Sequence, residues 1–329
     1  MKSERPLPRH FFVVNPLCFQ NRLKMEIAIS KIHQYFAAEA AAGVKADYAV
    51  HISRFPRDAI YSIHKFAKAV ADGIPLRVYS IGGKGILFDC LNGSIELPNT
   101  ELGIIPYSED ETFYQICGTQ KKDILYSIKA QTTSPSIPVD VLYCGSNYVL
   151  NYCLIGAEAL ASIAHQKLLK RFSLLSRFKS PSMKRIVNSN KFFQMISNSH
   201  ILTQNYRMWV DDVNWSGAHA FINIANTPYF ENSLSPVTEA VIDDGWMDVL
   251  TGEGGNALKL YKIFKKYISG QHAMYPKAFT YKRAKKIFIT SNTPLILNID
   301  GEIFYDKYIN IEIKPKMLRI ITPIEKNKE

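Results

Sequence analysis

The chain has 329 residues, too many for one ordinary core and enough for two domains. Its 47% hydrophobic and 21% charged content excludes a disordered chain, and no stretch reaches the roughly 18 uncharged apolar residues of a spanning helix. Forty Lys and Arg against 29 Asp and Glu leave a net charge of +11, which favours an anionic partner: a nucleotide, an anionic membrane surface or a nucleic acid.

In chain order, the run HFFVVN at 10–15 reads as a strand buried on both faces. Residues 23–36 read as a helix on Met25, Ile27, Ile29, Ile32 and Phe36. Strand 48–53, helix 57–71, strand 76–81 and strand 102–106 follow. Such alternation predicts a parallel sheet covered by helices, with ligands outside the carboxyl ends of its strands. A polar, turn-forming stretch at 131–136 marks a boundary between residues 1–134 and 135–329. Beyond it, β-branched and aromatic runs at 139–143, 147–153, 206–210, 218–224, 286–290, 295–300 and 309–313 predict a β-sandwich or partly closed barrel. Basic helical stretches near 157–197 and 258–268 interrupt these strands.

Five cysteines (Cys18, Cys90, Cys117, Cys144, Cys153) form no C-x-x-C pair and read as buried free thiols of a reducing compartment. The opening MKSERP has no apolar secretory segment, so the expected location is the cytoplasm, with attachment at a membrane periphery an alternative.

Gly82-Gly83-Lys84-Gly85 follows a strand and opens a helix, where glycines let backbone N–H groups face a phosphate. A plain tight turn explains the same residues. Asp300-Gly301-Glu302 could supply a general base for a hydroxyl nucleophile, and Asp-Gly is equally a hairpin signal. Asp243, Asp244 and Asp248 bunch around Gly245 and Trp246, as a hard cation or a solvated turn would each allow. Two acid-free basic stretches, 165–191 and 259–286, suit either an anionic membrane or a solvated face. No zinc spacing, G-x-S-x-G elbow or nucleic-acid motif occurs.

In order along the chain, these pieces resemble the diacylglycerol kinase catalytic-domain family, in particular its soluble bacterial lipid kinases. Asn15-Pro16 is similar to the family's opening Asn-Pro, and Ser53 with Arg57-Asp58-Ala59 to its Thr-x-x-x-Gly-(Asp/His)-Ala element. Gly82-Gly83-Lys84-Gly85 resembles Gly-Gly-Asp-Gly, Asp140 the aspartate opening the second domain, and Asp300-Gly301-Glu302 the late Asp-Gly-Glu. Asn226, Asp244-Gly245, Asp248 and Gly270-x-His272 resemble second-domain markers.

The resemblance implies an α/β nucleotide-binding domain, a β-sandwich second domain and ATP between them, with Mg²⁺. It implies nucleotide contacts from Asn15, Pro16, Ser53, Gly82, Gly83, Lys84, Gly85 and Asp140, and catalytic roles for Glu302 and Asp300. A structural Mg²⁺ falls at Asp243, the Trp246 carbonyl and Asp248. The implied partners are a nucleotide and a lipid substrate or anionic membrane surface, with a second copy of the chain as a candidate and no nucleic acid. Four departures stand out: Leu17-Cys18-Phe19 replaces the Ser-Gly after Asn15-Pro16, Lys84 replaces the motif aspartate, Arg57 replaces the glycine, and Ser108–Phe113 replaces Gly-Thr-x-Asn-Asp-Phe. Phosphoryl transfer needs carboxylate-held cations, so ATP-dependent lipid phosphorylation is expected to be weak or lost. The alternatives are a kinase with altered metal use, in which Lys84 contacts a phosphate itself, and a non-catalytic anionic-membrane or interaction module.

Overall fold

The computed structural model describes residues 7–44, 46–69, 73–107, 116–117, 122–160, 162–163, 203–228, 237, 239–268 and 271–324. The basic stretch 165–191, the segment 108–113 and Gly270 lie outside them. The chain divides into two compact units: one runs through Val141 and takes back the residues from Pro315, and the other holds the described residues from Leu142 to Lys314.

In the first unit, β1 (Arg9–Val14) is buried at every position after Arg9, as its unbroken apolar run requires. It is followed by α1 (Arg22–Ala41), β2 (Tyr48–Ile52), α2 (Asp58–Lys68), β3 (Leu76–Gly82), α3 (Lys84–Ser94) and β4 (Thr100–Pro106). The strands pair in parallel in the order β4, β3, β1, β2, and Ile320 from the returning segment pairs with Leu102 of β4. Asn21 caps α1 by accepting the Lys24 N–H at 2.9 Å. The helix buries Ala28, Ile32 and Phe36, whereas Ile27, expected on that stripe, is 48% exposed. Each fully buried Ile or Phe contributes about 1.5–3 kcal/mol.

The polar stretch 131–136 is no linker. After α4 (Lys122–Leu125) it ends α5 (Ile128–Thr133) and begins β5 (Ser136–Cys144). Gln131 is fully buried, its amide donating to the Ile104 carbonyl at 2.8 Å. Ser134 accepts the Ile324 N–H at 2.9 Å, and Thr322 donates to Pro135 O at 3.0 Å. These long-range bonds hold the stretch inside the first unit, so the division falls after Val141 and not at 134.

In the second unit, β6 (Asn147–Val149), β7 (Tyr152–Gly156), β8 (Gln204–Val210), β9 (Val213–Asn214), β10 (Gly217–Ala225), β11 (Met247–Glu253), α6 (Ala257–Ile268), β12 (Phe279–Ala284), β13 (Lys286–Ile299) and β14 (Glu302–Ile321) follow. β11 and β12 are not among the strands expected from the sequence. The pairing is antiparallel, and β7 and β8 each bridge β10 and β13, so the ladder closes on itself. Leu260, Ile263, Phe264 and Tyr267, at helical spacing, press α6 onto Phe221, Leu250 and Phe279.

Candidate functional site

The carboxyl edge of the parallel sheet gathers the first set of expected residues. The Asn15 N–H bonds Ile81 O at 3.0 Å, Ser53 N–H bonds Val14 O at 2.9 Å, and Tyr107 N–H bonds Gly82 O at 3.0 Å. Residues from the ends of all four strands are thereby aligned in one row. Asn15 also accepts the Leu17 N–H at 3.0 Å and so caps the 3-10 turn Pro16–Cys18.

Gly82 has φ +152, and an added Cβ would meet Ile86 Cγ2 at 2.8 Å and both Asn15 Cβ and Cys18 Sγ at 3.1 Å. Only glycine lets these chains approach so closely. Gly83 caps α3 without a side-chain bond, and Lys84 and Gly85 open the helix. The strand–glycine–helix geometry of a phosphate cradle is therefore present. Its Gly83 N–H, however, donates to the Cys18 thiol, which burial pushes above its ordinary pKa against the pull of that bond. Cys18 was not among the expected site residues, although it lies in Leu17-Cys18-Phe19, where the chain departs from the family's Ser-Gly.

Arg57 occupies the glycine position of the family element in the left-handed region, φ 69. That conformation costs a non-glycine residue about 1–2 kcal/mol. Arg57 offsets this through Asp89 on α3, which accepts its backbone N–H at 2.9 Å and its guanidinium at 2.5 Å. The guanidinium also stacks 4.5 Å from the Phe88 ring centroid. Beside it, Asp58 accepts the Arg54 N–H at 2.9 Å and His51 Nε2 at 3.0 Å. Burial works to raise the Asp58 pKa, but the Arg54 amide and His51 outweigh it and the carboxyl lies below its usual range. Asp140, fully buried on β5, accepts the Lys316 N–H at 2.7 Å.

In the second unit, Asp300-Gly301 is a two-residue hairpin turn, φ 48 and 95, closed by the pair Ile299 and Glu302. The hairpin reading of these residues is thus met. Asp300 is buried, and its carboxylate accepts the backbone N–H groups of Leu150 at 2.7 Å, Asn151 at 3.1 Å and Tyr152 at 3.1 Å. These bonds explain why the expected strand 147–153 is broken between β6 and β7: its amides turn toward Asp300 instead of a ladder. Asn226 secures the same segment by donating to Leu150 O at 2.7 Å. Asp300 is accordingly a brace under the hairpin. Glu302, partly exposed at the start of β14, is the carboxylate of the pair left at the surface.

The acidic loop places Asp244 and Asp248 beside Arg283. Asp244 pairs with Arg283 and accepts the Trp246 N–H at 3.0 Å. Asp248 is fully buried: one oxygen accepts the Tyr281 hydroxyl, and the other has no partner, as a bound cation would require. Burial raises its pKa, against Tyr281 and Arg283. Arg283 supplies positive charge beside both acids. The buried, unpartnered Asp248 oxygen is the group through which Asp243, the Trp246 carbonyl and Asp248 would hold a Mg²⁺.

The acid-free stretch 259–286 is also less bare than its sequence. Lys259 meets Glu253 at 2.9 Å, Lys282 meets Asp211 at 3.6 Å, Lys286 meets Glu312 at 2.8 Å, and Arg283 meets Asp244. No described helix is long and apolar enough to cross a membrane.

Residues 194–322 match the family described as YegS C-terminal NAD kinase beta sandwich-like domain. The chain is 26% identical over 253 residues to proteins named "Putative lipid kinase" in Staphylococcus aureus strains JH9 and Newman, covering 74% of this chain and 76% of theirs. Two crystal structures from Bacillus anthracis str. Sterne, titled as a "putative diacylglycerol kinase" and as a diacylglycerol kinase, superpose with TM-scores of 0.69 and 0.67. They are 21% and 20% identical, with 97% of this chain and 97% and 98% of theirs covered. These superpositions establish the fold, an α/β domain followed by a β-sandwich-like domain. With the sequence relatives and the matched C-terminal domain, they bear out the resemblance to the diacylglycerol kinase family drawn from the motifs.

Proposed function

We propose that this chain is a lipid kinase homologue that keeps the nucleotide-binding scaffold and phosphorylates lipid hydroxyls with ATP weakly or not at all. One observation carries the reading: the cradle backbone from Gly82 to Gly85 is intact while its acidic position, at the first turn of α3, is Lys84. Transfer of a γ-phosphoryl group depends on cations that bridge and neutralise the phosphates, and carboxylates hold those cations. Of the acids expected to do so, Asp140 remains. In this reading Glu302 is the proton acceptor for the lipid hydroxyl, and Asp300 positions it.

A second reading has support in the same residue. Lys84 sets a cation at the positive end of the α3 dipole, which is unfavourable by about 0.3–1 kcal/mol and is offset when an anion binds there. Lys84 then takes over charge that Mg²⁺ supplies elsewhere. Nucleotide binding with and without Mg²⁺, followed by a kinase assay over a lipid panel for the wild type and Lys84→Asp, separates the two. Activity created by Lys84→Asp supports the first reading, and activity abolished by it supports the second. Wild-type turnover at ordinary kinase rates with Mg²⁺, unchanged in Lys84→Asp, overturns both.

A further inference from the structure

The second unit carries a cluster of cations that neither the glycine cradle nor the Asp300–Glu302 hairpin uses. Helix α6 is fixed by Leu260, Ile263, Phe264 and Tyr267, all buried in one apolar cluster. The opposite stripe of the same helix presents Lys262, Lys265 and Lys266, the first two exposed. Helix residues three and four apart are neighbours, so Lys262 stands beside both of the others.

With Tyr261 and Gln271, these lysines line a hollow of about 410 Å³. The chain beyond α6 folds back to build its far side, where the Gln271 N–H donates to Lys266 O at 3.0 Å. Lys266 Nζ is drawn over the Tyr275 ring, 2.8 Å from its centroid. The lining holds three positive charges and no carboxylate.

Elsewhere in this basic stretch Lys259, Lys282, Arg283 and Lys286 are each paired with a carboxylate. Among the described residues, Lys262 and Lys265 have no such partner. Neighbouring ammonium groups repel one another. The negative end of the α6 dipole favours Lys265 and Lys266 in the last turn, but that effect fades within the turn and does not reach Lys262. An anion seated in the hollow would neutralise all three.

The lining also restricts which anion fits. An ammonium group offers up to three N–H donors as a compact point charge, which suits phosphate oxygens. One phosphate carries about two negative charges at most, so linked phosphates match three lysines better. A bilayer surface calls for apolar side chains that enter it, and no aliphatic side chain lines this concave hollow. We propose that it binds a soluble oligophosphate, two or three linked phosphate groups, as a site separate from the nucleotide cradle of the first unit. The inference goes beyond the lipid kinase reading and does not depend on it.

The test is calorimetric titration of the full chain with inorganic tripolyphosphate at about 0.15 M salt, where diffuse surface attraction is screened. Lys262→Gln with Lys265→Gln removes two of the cations from exposed positions and keeps a good helix former at each. Lys31→Gln with Lys65→Gln, exposed in the first unit, removes the same charge elsewhere, and Lys84→Ala removes the cation of the cradle. Thermal melts confirm folding. The expected result is saturable binding, weakened about tenfold or more by the α6 double variant and by less than about twofold in the first-unit control. Binding should persist in Lys84→Ala. The proposal is overturned if the wild type shows no saturable binding, if the α6 variant binds as well as the wild type, or if the control loses as much. It is overturned equally if Lys84→Ala abolishes binding, which would place the ligand in the cradle. Binding of anionic vesicles through Lys262 and Lys265 without binding of tripolyphosphate would also overturn it and make the face a membrane contact. Lipid phosphorylation, present or absent, moves none of these outcomes.

Discussion

The Gly82–Gly85 turn and the Asp300–Glu302 hairpin are both motifs of the same resemblance, yet they have been kept in different ways. The turn retains its backbone path: Gly82 at φ +152 is wedged against Asn15, Cys18 and Ile86. What changed there is its chemistry, through Lys84 and the Cys18 thiol on the Gly83 amide. The hairpin retains its side chains, but Asp300 spends its carboxylate on three buried amides. A glycine motif reports backbone geometry and survives a change of chemistry; an acidic motif can survive because it holds the fold. Persistence of a motif is thus evidence of function only after its hydrogen bonds are counted.

The contrast can be broken most directly at Asp300. Asp300→Ala leaves three buried N–H groups without an acceptor at about 1–3 kcal/mol each. A loss of about 3–5 kcal/mol in urea unfolding is expected, and a loss below about 1 kcal/mol would sink its role as a brace. Glu302→Gln, by contrast, should leave stability within about 0.5 kcal/mol while lowering whatever phosphoryl transfer the wild type shows.

Acid should act next, through a buried histidine of the first unit. His10, buried in the first unit and hydrogen-bonded to the Tyr79 hydroxyl at 2.8 Å, has its pKa lowered to about 3 by burial, with Arg77 adding to the effect. The unfolded chain takes up this proton near the ordinary pKa of 6.5 and the folded chain does not until about 3. The associated stability is complete above 6.5 and is lost as pH falls toward 3. The slope is at most about 1.4 kcal/mol per pH unit. Denaturation monitored in the first unit from pH 7 down to about 4 should show that slope, and His10→Gln should flatten it; an unchanged slope in the variant refutes the assignment.

Gly82→Ala tests the cradle itself. Its Cβ would meet Ile86 Cγ2 at 2.8 Å in a conformation that side chains avoid, so a loss of about 1–3 kcal/mol is expected from the thermal midpoint. Arg57→Gly should be the smallest change. Relief of about 1–2 kcal/mol of left-handed strain opposes loss of the Asp89 ion pair, and a net shift within about 1 kcal/mol is expected in the same measurement. A large destabilisation would mean that the Arg57–Asp89 pair far outweighs the strain.

Much of the first unit was legible because its signals are local. The apolar run at 10–15, the helical stripe through Ile32 and Phe36, and a glycine turn between a strand and a helix each need only neighbours to be read. The hairpin at Asp300-Gly301 was legible for the same reason, since positive φ at two successive positions favours that dipeptide. The stretch 131–136 misled because its residue types favour turns, while its polar atoms are bonded to Ile104, Ile324 and Thr322, distant in sequence. β11 was missed because it is buried at six successive positions and lacks the alternation of a half-buried strand, and β12 because its alternation, Phe279 to Lys282, is only four residues long inside a basic stretch.

What the amino-acid order determined alone was the strand–helix alternation of the first unit, the two-domain arrangement and the motifs that place the chain beside the lipid kinases. Hydrophobic period and turn chemistry act over a few residues, so they can be read without the fold. Only the tertiary structure decided which polar groups were already spent: Cys18 on Gly83, Asp89 on Arg57, Asp244 on Arg283, Asp300 on three amides. Those partners lie tens to more than a hundred residues apart, and a side chain's availability for chemistry depends on what it already bonds.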